Sequence, residues 1–175
     1  MDPEMTKLLV IGAAVAAAAG VAAYFIARYL KGSITISLPR TAFNPGEQLE
    51  GACQLITRKE VRGNNLSVAL VATETVRERG YNGKSRTHTH EIYRAGYILE
   101  AAKVYPPGFT ANYQFKLDVP AEQASFGGDS ILGQAVGLLG SLGRRITWRV
   151  EVRLDAEGVD LASSQNISVG SRGFF

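Results

Sequence analysis

The chain divides into two regions by the spacing of its hydrophobic residues. No charge interrupts the apolar run from Leu8 to Ala27, whereas apolar and polar residues mostly alternate after Ser33. A run of about 20 apolar residues matches a hydrocarbon core of roughly 30 Å, where only a helix satisfies its own backbone. Alternation with period two is typical of strands with one buried face. We therefore predict a transmembrane helix over 8–31 and a β domain over 33–169, with short tails at 1–7 and 170–175.

The apolar run has two other interpretations, a cleaved signal or pilin-like leader and a buried helix of a soluble protein. The segment Ala14–Ala16 fits the small-residue pattern at which signal peptides are cut. However, the run is longer than the roughly 7–15 residues usual for the core of a signal peptide. Cleavage there would also leave the bulky segment Tyr24–Ile26 near the new N-terminus. We favour a retained anchor.

Charged residues around the run predict its orientation. They are Asp2, Glu4 and Lys7 before it, and Arg28, Lys31 and Arg40 after it. Because basic residues accumulate on the cytoplasmic side of a membrane span, we expect a single-pass membrane protein whose C-terminal domain is cytoplasmic, with an extracellular domain as the alternative. The lone Cys53 agrees with a reducing compartment, since it has no partner for an intramolecular disulfide.

Small residues also recur along the predicted helix. Gly12, Ala16 and Gly20 are spaced by four and therefore share one face, on which a second helix could approach closely. This spacing arises easily in an alanine-rich segment, so a plain anchor fits as well. The expected partners are other membrane proteins or a second copy of the chain.

Alternating segments after Ser33 predict seven or eight strands separated by turns. The strands are expected at 33–38, 48–57, 66–79, 85–99, 113–119, 146–154 and in a last segment that ends at 169. Turn-forming residues occur at Asn44–Glu47, Gly80–Gly83, Pro106–Gly108 and Asp155–Gly158, and Gly51 marks a candidate bulge. Trp148 is expected on the inward face of the most regular strand. With no helical interruption, the pattern predicts an all-β, antiparallel, immunoglobulin-like sandwich.

Three segments resemble arrestin-fold domains. They are ITISLPRTAFNPGEQLEGACQL, YPPGFTANYQFKLDVP and RITWRVEVRLDAEGVDLASSQNISV. The resemblance implies an arrestin-like sandwich that recognises partners through loops and strand edges, without catalytic residues. Arrestins and the related retromer subunit carry two such sandwiches in tandem, whereas this sequence predicts one. We therefore expect a recognition or scaffolding module and not a two-lobed cradle.

A glycine-rich apolar insertion at 126–143 separates two of the predicted strands. Its large apolar residues and the arginines that follow are candidate contacts for a partner or the membrane: Ile131, Leu132, Val136, Leu138, Leu139, Leu142, Arg144 and Arg145. Glycine costs a helix roughly 1 kcal/mol per residue, yet a patch this apolar is rarely left in solvent. Three surfaces could bury this insertion. It could plug one end of the sandwich, contact the bilayer, or bind another protein.

The sequence offers little catalytic chemistry. His88 and His90 share a strand face, but a zinc site needs three or four ligands and no other histidine exists. Cys53 lies in an apolar strand and is expected to be a small buried residue. Neither a phosphate-binding glycine loop nor a nucleophile motif is present. We expect no enzyme activity, no metal, no cofactor and no small-molecule substrate.

Basic side chains decorate two parts of the β domain. They are Arg58, Lys59 and Arg62 in one loop, and Arg77, Arg79, Lys84, Arg86 and Arg94 along the long hairpin. They are not packed into the kind of run that binds nucleic acid. Ordinary solvation explains them, while the alternative is an electropositive patch that faces anionic lipid headgroups.

Together these features predict a membrane-anchored, non-enzymatic adaptor, scaffold or accessory subunit that binds other proteins through an arrestin-like sandwich. The alternative is a structural subunit of an extracellular filament or cell-surface assembly, with the N-terminal helices packed in its core. Orientation separates the two, because a filament subunit must expose its sandwich outside the cell.

Overall fold

A computed structural model describes residues 3–79, 85–121 and 144–170. In these ranges the chain forms one helix and nine strands. They are α1 Pro3–Lys31, β1 Gly32–Ser37, β2 Ala42–Phe43, β3 Gln48–Thr57, β4 Val61–Arg79, β5 Ser85–Glu100, β6 Lys103–Tyr105, β7 Thr110–Asp118, β8 Arg144–Ala156 and β9 Leu161–Val169. The insertion at 126–143 and the turn Gly80–Gly83 lie outside the described residues, so the predictions made for them stay predictions.

The strands form two sheets. The smaller sheet has the order β1-β3-β7, and the larger has the order β2-β9-β8-β4-β5 with β6 also paired to β4. Every pairing is antiparallel except the short parallel contact of β2 with β9. The predicted antiparallel β-sandwich is confirmed.

Alternation along the strands builds the core between these sheets. Fully or nearly fully buried side chains come from β3, β4, β7 and β8, among them Leu49, Leu55, Leu66, Leu70, Phe115, Val150 and Leu154. Strand residues point alternately to the two faces of a sheet, so every second residue of these strands enters one hydrophobic cluster. Trp148 belongs to this cluster, as predicted, whereas Ile146 on the same face is 50% exposed.

Strand lengths explain the exposure of Ile146. Strand β3 ends at Thr57 and β4 begins at Val61, so the end of β3 and the start of β4 lie at the same end of the sandwich. Strand β3 has 10 residues and β4 has 19. The last part of β4 therefore runs beyond the opposing sheet, together with the strands that flank it. Burial on β4 falls accordingly, since Ala72 is buried and Arg77 is exposed.

The structure corrects the interpretation of Gly51 as a bulge. The register between β3 and β7 runs without a shift from Gln48↔Asp118 to Ile56↔Thr110. A Cβ atom at Gly51 would lie 2.6 Å from Leu38 Cδ2 and 2.7 Å from Phe115 Cζ. The glycine therefore makes room for two apolar side chains. The irregularities in the larger sheet lie elsewhere. In β5, Leu99 and Ile92 are extra residues opposite β4, and in β4, Asn64 is an extra residue opposite β8.

Three predicted turns are confirmed by their backbone geometry. Gly46, Gly108 and Gly158 have φ of 81°, 76° and 82°, a region that glycine adopts without steric cost. In the first turn the Glu47 amide donates to the Asn44 carbonyl at 3.1 Å. Strand β4 begins at Val61 and not at Leu66 as predicted, because the polar residues in between pair with β6 and β8.

Candidate functional site

The topology gives the sandwich two distinct ends. The proximal end contains Lys31 at the end of α1, the loop from Thr57 to Val61 and the turn at 157–160, because Lys31 Nζ donates to the Val159 carbonyl at 2.7 Å. Along β4 the register runs from Gly63↔Ala156 at this end to Val76↔Arg144 at the other. At roughly 3.3 Å per residue, these two points are about 43 Å apart. We call the second end distal.

Helix α1 enters β1 without a linker. Lys31 is the last residue of the helix and Gly32 the first of the strand. Gly32 has a φ of 154°, and a Cβ atom there would lie 2.9 Å from Thr57 Cα. Glycine is therefore required where the helix turns into the sheet.

Arg58 closes the end of the helix. Its backbone amide donates to the Lys31 carbonyl at 2.8 Å, and its guanidinium donates to the Tyr29 carbonyl. The guanidinium also lies 4.1 Å from the centroid of the Tyr29 ring. The last carbonyls of a helix have no partner within the helix and carry partial negative charge. A cation from the β3–β4 loop therefore binds α1 to the sandwich.

The two basic residues at the end of α1 also bind the sandwich. Lys31 Nζ donates to the carbonyls of Glu157 and Val159, and the Arg28 guanidinium donates to the carbonyl of Ala162. The sequence predicts basic residues directly after the apolar run, and the structure adds that Lys31 contacts the turn between β8 and β9 and that Arg28 contacts the start of β9. We call Arg28, Tyr29, Lys31 and Arg58 the junction cluster.

A groove of about 330 Å³ opens beside the junction cluster. Its walls include Phe25, Arg28, Tyr29, Ser33, Ile34 and Arg58. Phe25 and Tyr29 are 59% and 65% exposed. The groove therefore combines two guanidinium groups with an apolar and aromatic wall, and no carboxylate lines it.

A three-stranded ribbon projects at the distal end. It consists of residues 73–79 of β4, 85–91 of β5 and 144–147 of β8, and we call it the distal arm. Arg77, Arg86 and Arg145 are exposed on it. In sequence, five arginines lie in these ranges against three glutamates. The arm is therefore basic, and it lies at the end of the sandwich opposite the helix.

The two histidines lie on one face of the distal arm, as predicted. Their ring centroids are 6.3 Å apart and the rings are nearly parallel, at 10°. Both are exposed, and Val76 and Ile146 occupy neighbouring register positions on that face. Among the described residues, no three His, Cys, Asp or Glu side chains come together as metal ligands.

Arg94 differs from the other basic residues of the hairpin because it is paired. Its guanidinium contacts Glu91 at 2.8 Å and Glu151 at 3.0 Å, and Arg149 also contacts Glu151 at 2.6 Å. Hydrogen bonding by the Arg94 guanidinium holds the pKa of Glu91 below its usual value. Val71 lies opposite both arginines in register and is fully buried. This network therefore covers the outer face of the larger sheet and takes Arg94 out of the predicted basic patch.

A second polar cluster, which the sequence analysis missed, lies between β5, β6 and β7. The Glu100 carboxylate accepts from Lys103 Nζ at 2.6 Å, from the Tyr105 hydroxyl at 3.1 Å and from the Tyr113 hydroxyl. Burial of Glu100 works against ionisation, but its three donors outweigh burial and hold the pKa of Glu100 below its usual value. The tyrosines alternate with apolar residues like any strand residue, so periodicity gave no signal for this cluster.

Cys53 is a core residue, as predicted. It is 1% exposed, and burial raises the pKa of its thiol to about 11. A thiol that stays protonated at neutral pH is a poor nucleophile. The chemistry of Cys53 is therefore that of a small apolar side chain.

The remaining candidate residues divide between described and undescribed parts of the chain. Gly12, Ala16 and Gly20 lie exposed on α1, and a Cβ atom at either glycine would meet nothing within 4 Å. Arg144 begins β8 and Arg145 lies exposed on the distal arm. The six apolar candidates from Ile131 to Leu142 lie outside the described residues.

Helix α1 is long and apolar enough to cross a membrane from Ile11 to Lys31. None of the most apolar window is buried against the rest of the described chain. A signal sequence passes the same test of length and composition. The apolar face of the helix is thus left for another surface to cover.

The two-sheet core and its antiparallel pairing define this domain as a β-sandwich, and a likeness to one solved structure supports an arrestin-like fold. Among solved structures, the chain is similar to the crystal structure of Spo0M, a sporulation control protein from Bacillus subtilis, with a TM-score of 0.55 and 15% sequence identity. The likeness covers 81% of this chain and 50% of that one, so the chain spans about half the length of that protein. No family model matches the chain, and no curated protein matches it in sequence.

Proposed function

We propose that the chain is a membrane-anchored, non-enzymatic adaptor whose sandwich faces the cytoplasm and binds an acidic partner through its distal arm. One observation carries this proposal. The only apolar helix among the described residues and the basic distal arm lie at opposite ends of one sandwich, about 43 Å apart along β4. One end is suited to the membrane and the other to a protein beyond it.

The anchoring half of the proposal rests on the junction. A flexible tether would need polar residues between helix and domain, but here Lys31 is followed directly by β1. Arg58 binds the end of the helix, Lys31 binds the turn between β8 and β9, and Arg28 binds the start of β9. The sandwich therefore keeps a fixed orientation relative to the helix. The basic residues at this junction favour the cytoplasmic side by the positive-inside rule.

The binding half rests on the distal arm. Its strands run past the smaller sheet, so one face lacks the opposing strands that cover the core. That face carries the half-exposed Ile146, the two exposed histidines and Arg86, while Arg77 and Arg145 are exposed on the other face of the arm. A positive arm with some exposed apolar surface complements an acidic protein surface, because opposite potentials steer association and fix its orientation. Arg144 and Arg145, proposed as partner contacts, belong to this arm.

The distal location of Arg145 bears on its alternative role at the membrane. Arg145 pairs with Thr75, one step from the far end of the described register, whereas α1 contacts the turn at 157–160. About 40 Å of β8 separates the two at roughly 3.3 Å per residue. A protein contact for Arg145 therefore fits better than a headgroup contact beside its own helix.

Charge removal at matched sites tests this function. The double variant Arg86→Gln/Arg145→Gln removes two charges from the distal arm. The control Lys116→Gln/Arg153→Gln removes two charges elsewhere, from side chains that are 63% and 62% exposed. We expect photo-crosslinks from position 88 on β5, on the face that carries Ile146, to a membrane-associated partner to be lost in the arm variant and kept in the control. Equal crosslinking in both variants would contradict a basic docking arm.

A filament subunit is the second candidate, and one observation favours it. The described face of α1 is exposed and apolar from Ile11 to Ile26, so copies of the helix could pack together in a filament core. Protease added to intact cells distinguishes the two functions. We expect the sandwich to be protected, as a cytoplasmic domain must be, and digestion to fragments of α1 would instead favour the filament.

A further inference from the structure

We infer that the groove at the junction cluster binds the phosphate headgroup of an anionic membrane phospholipid, an inference that rests on the proposed membrane anchoring of α1. The groove lies against the last two turns of the helix, between Phe25 and Gly32. The candidate span ends at Lys31. In a spanning helix these turns lie at the level of the headgroups.

The walls of the groove suit a phospholipid. Arg28 and Arg58 contribute guanidinium groups, Ser33 contributes a hydroxyl, and Phe25, Tyr29 and Ile34 form an apolar side. Each guanidinium has five N–H donors. The hydrogen bonds described above use one carbonyl acceptor for each. The remaining donors can form the paired hydrogen bonds by which arginine binds phosphate oxygens.

Arg58 is held in place before any ligand arrives. The Tyr29 ring supports its guanidinium at 4.1 Å and the Tyr29 carbonyl accepts from it. A side chain that is already ordered loses little rotational freedom on binding. The exposed arginines of the distal arm lie at the other end of the sandwich from this groove, which makes the arm a suitable source of controls.

Charge distinguishes this groove from a larger one of about 430 Å³ on the smaller sheet. That groove is lined by Glu50 and Lys116, whose side chains pair with each other at 2.5 Å. Its charges therefore cancel. The junction groove has two arginines and no acidic residue in its lining. Nearby Asp160 is already bound by Arg153 at 3.0 Å. A ligand with net negative charge thus fits the junction groove specifically.

Native mass spectrometry of the full chain in detergent tests the inference. The probes are phosphatidylglycerol and phosphatidylcholine with identical acyl chains. The test variant is Arg28→Gln/Arg58→Gln, and the control is Arg77→Gln/Arg86→Gln. With about five-fold for each arginine near a membrane surface, we expect the test variant to lose roughly 30-fold in phosphatidylglycerol affinity. The control should retain it, and phosphatidylcholine should bind weakly throughout.

Several outcomes would overturn the inference. Equal retention of the two lipids by the wild type would do so, as would equal losses in the test and control variants. Tight binding of soluble glycerol phosphate would show that the ligand is not a membrane lipid. Because Arg58 also closes the helix, Arg28→Gln alone and the charge-conserving Arg58→Lys are measured too. We expect Arg28→Gln to lose about five-fold in phosphatidylglycerol affinity and Arg58→Lys to retain part of it. If Arg58→Lys lost all of this affinity while Arg28→Gln kept it in full, the effect of Arg58 would be on the fold and not on lipid binding.

Carbonate extraction of cell membranes separates this inference from the proposed function. A chain that is extracted as a soluble protein would contradict the anchor itself. A chain that resists extraction but shows no preference for phosphatidylglycerol would leave the anchor intact and overturn the lipid site alone.

Discussion

Trp148 lies close to the limit of the region where the two sheets overlap. It pairs with Ala72 and Ile167 and packs against the Tyr93 ring at a centroid distance of 5.5 Å. Ile146, two residues earlier on the same face, is half exposed. Two neighbouring apolar residues of one strand therefore differ sharply in what they contribute to stability.

We expect Trp148→Ala to lower the free energy of unfolding by about 3–5 kcal/mol, because it removes a large buried ring and leaves a cavity. Ile146→Ala is the control, with an expected loss under about 1 kcal/mol since half of that side chain is already in solvent. Urea unfolding of both variants measures the difference. Similar losses for the two would mean that the overlap of the sheets ends elsewhere.

Glu100 gives the sandwich a dependence on pH. Its folded pKa is depressed, so its ionised form stabilises the fold at pH values above its unfolded pKa of about 4.3. This contribution is lost as the pH falls through the folded pKa. We expect the wild type to melt higher than Glu100→Gln at pH 7, and the gap to shrink as the pH is lowered to about 3. A gap that stays constant over this range would contradict the ionised Glu100 cluster.

At the scale of elements, α1 carries most of the exposed large apolar side chains of the described chain. Its small residues Gly12, Ala16 and Gly20 share a face on which a Cβ atom at either glycine meets nothing. A large side chain there would keep a second helix away. The sandwich would be unaffected, because every member of its core comes from the β domain.

We expect Gly12→Leu/Gly20→Leu to abolish self-association of the full chain in detergent if helices pair through this face. The control Ala14→Leu/Ala22→Leu places two leucine side chains at positions off the face and should leave association unchanged. Chemical crosslinking or sedimentation measures the oligomer. Equal association in both variants would identify α1 as a plain anchor.

The sequence was informative about elements and less so about their contacts. Alternation around Val150 and Leu154 predicted β8 and its buried face, because a strand's exposure pattern is local. The contacts of Arg94 were out of reach, since Glu151 lies on a strand 57 residues away and becomes a neighbour only through β4. The prediction of a bulge at Gly51 was wrong for a similar reason. A glycine that makes room for Leu38 and Phe115 looks the same in sequence as a glycine at a bulge.

At the scale of the whole molecule, the core and the anchor are separate. The buried cluster extends from Ile34 to Ile167 and includes no residue of α1. The contacts between them are the few hydrogen bonds and the ring contact at the junction cluster. Hydrophobic burial supplies most of the stability of a domain, so the sandwich should fold without its helix.

We expect a chain lacking residues 1–31 to be soluble and folded, with a cooperative melting transition. The wild type in detergent is the reference. Replacing Ile131 to Leu142 by a short Gly-Ser connection in the truncated chain is a companion variant, since that segment is an uncharged run rich in apolar residues. Failure of both chains to fold would mean that α1 is part of the domain.

The direct passage from α1 into β1 fixes how far the distal arm lies from the end of the helix. In the proposed membrane-anchored chain, β1 follows the helix directly and β4 extends from Val61 to Arg79, so the tip of the domain would stand at a set distance from the bilayer. A protein that binds there must present its own surface at that elevation, whatever its affinity. The chain would then act as a spacer as well as a binder, selecting partners by their reach from the membrane.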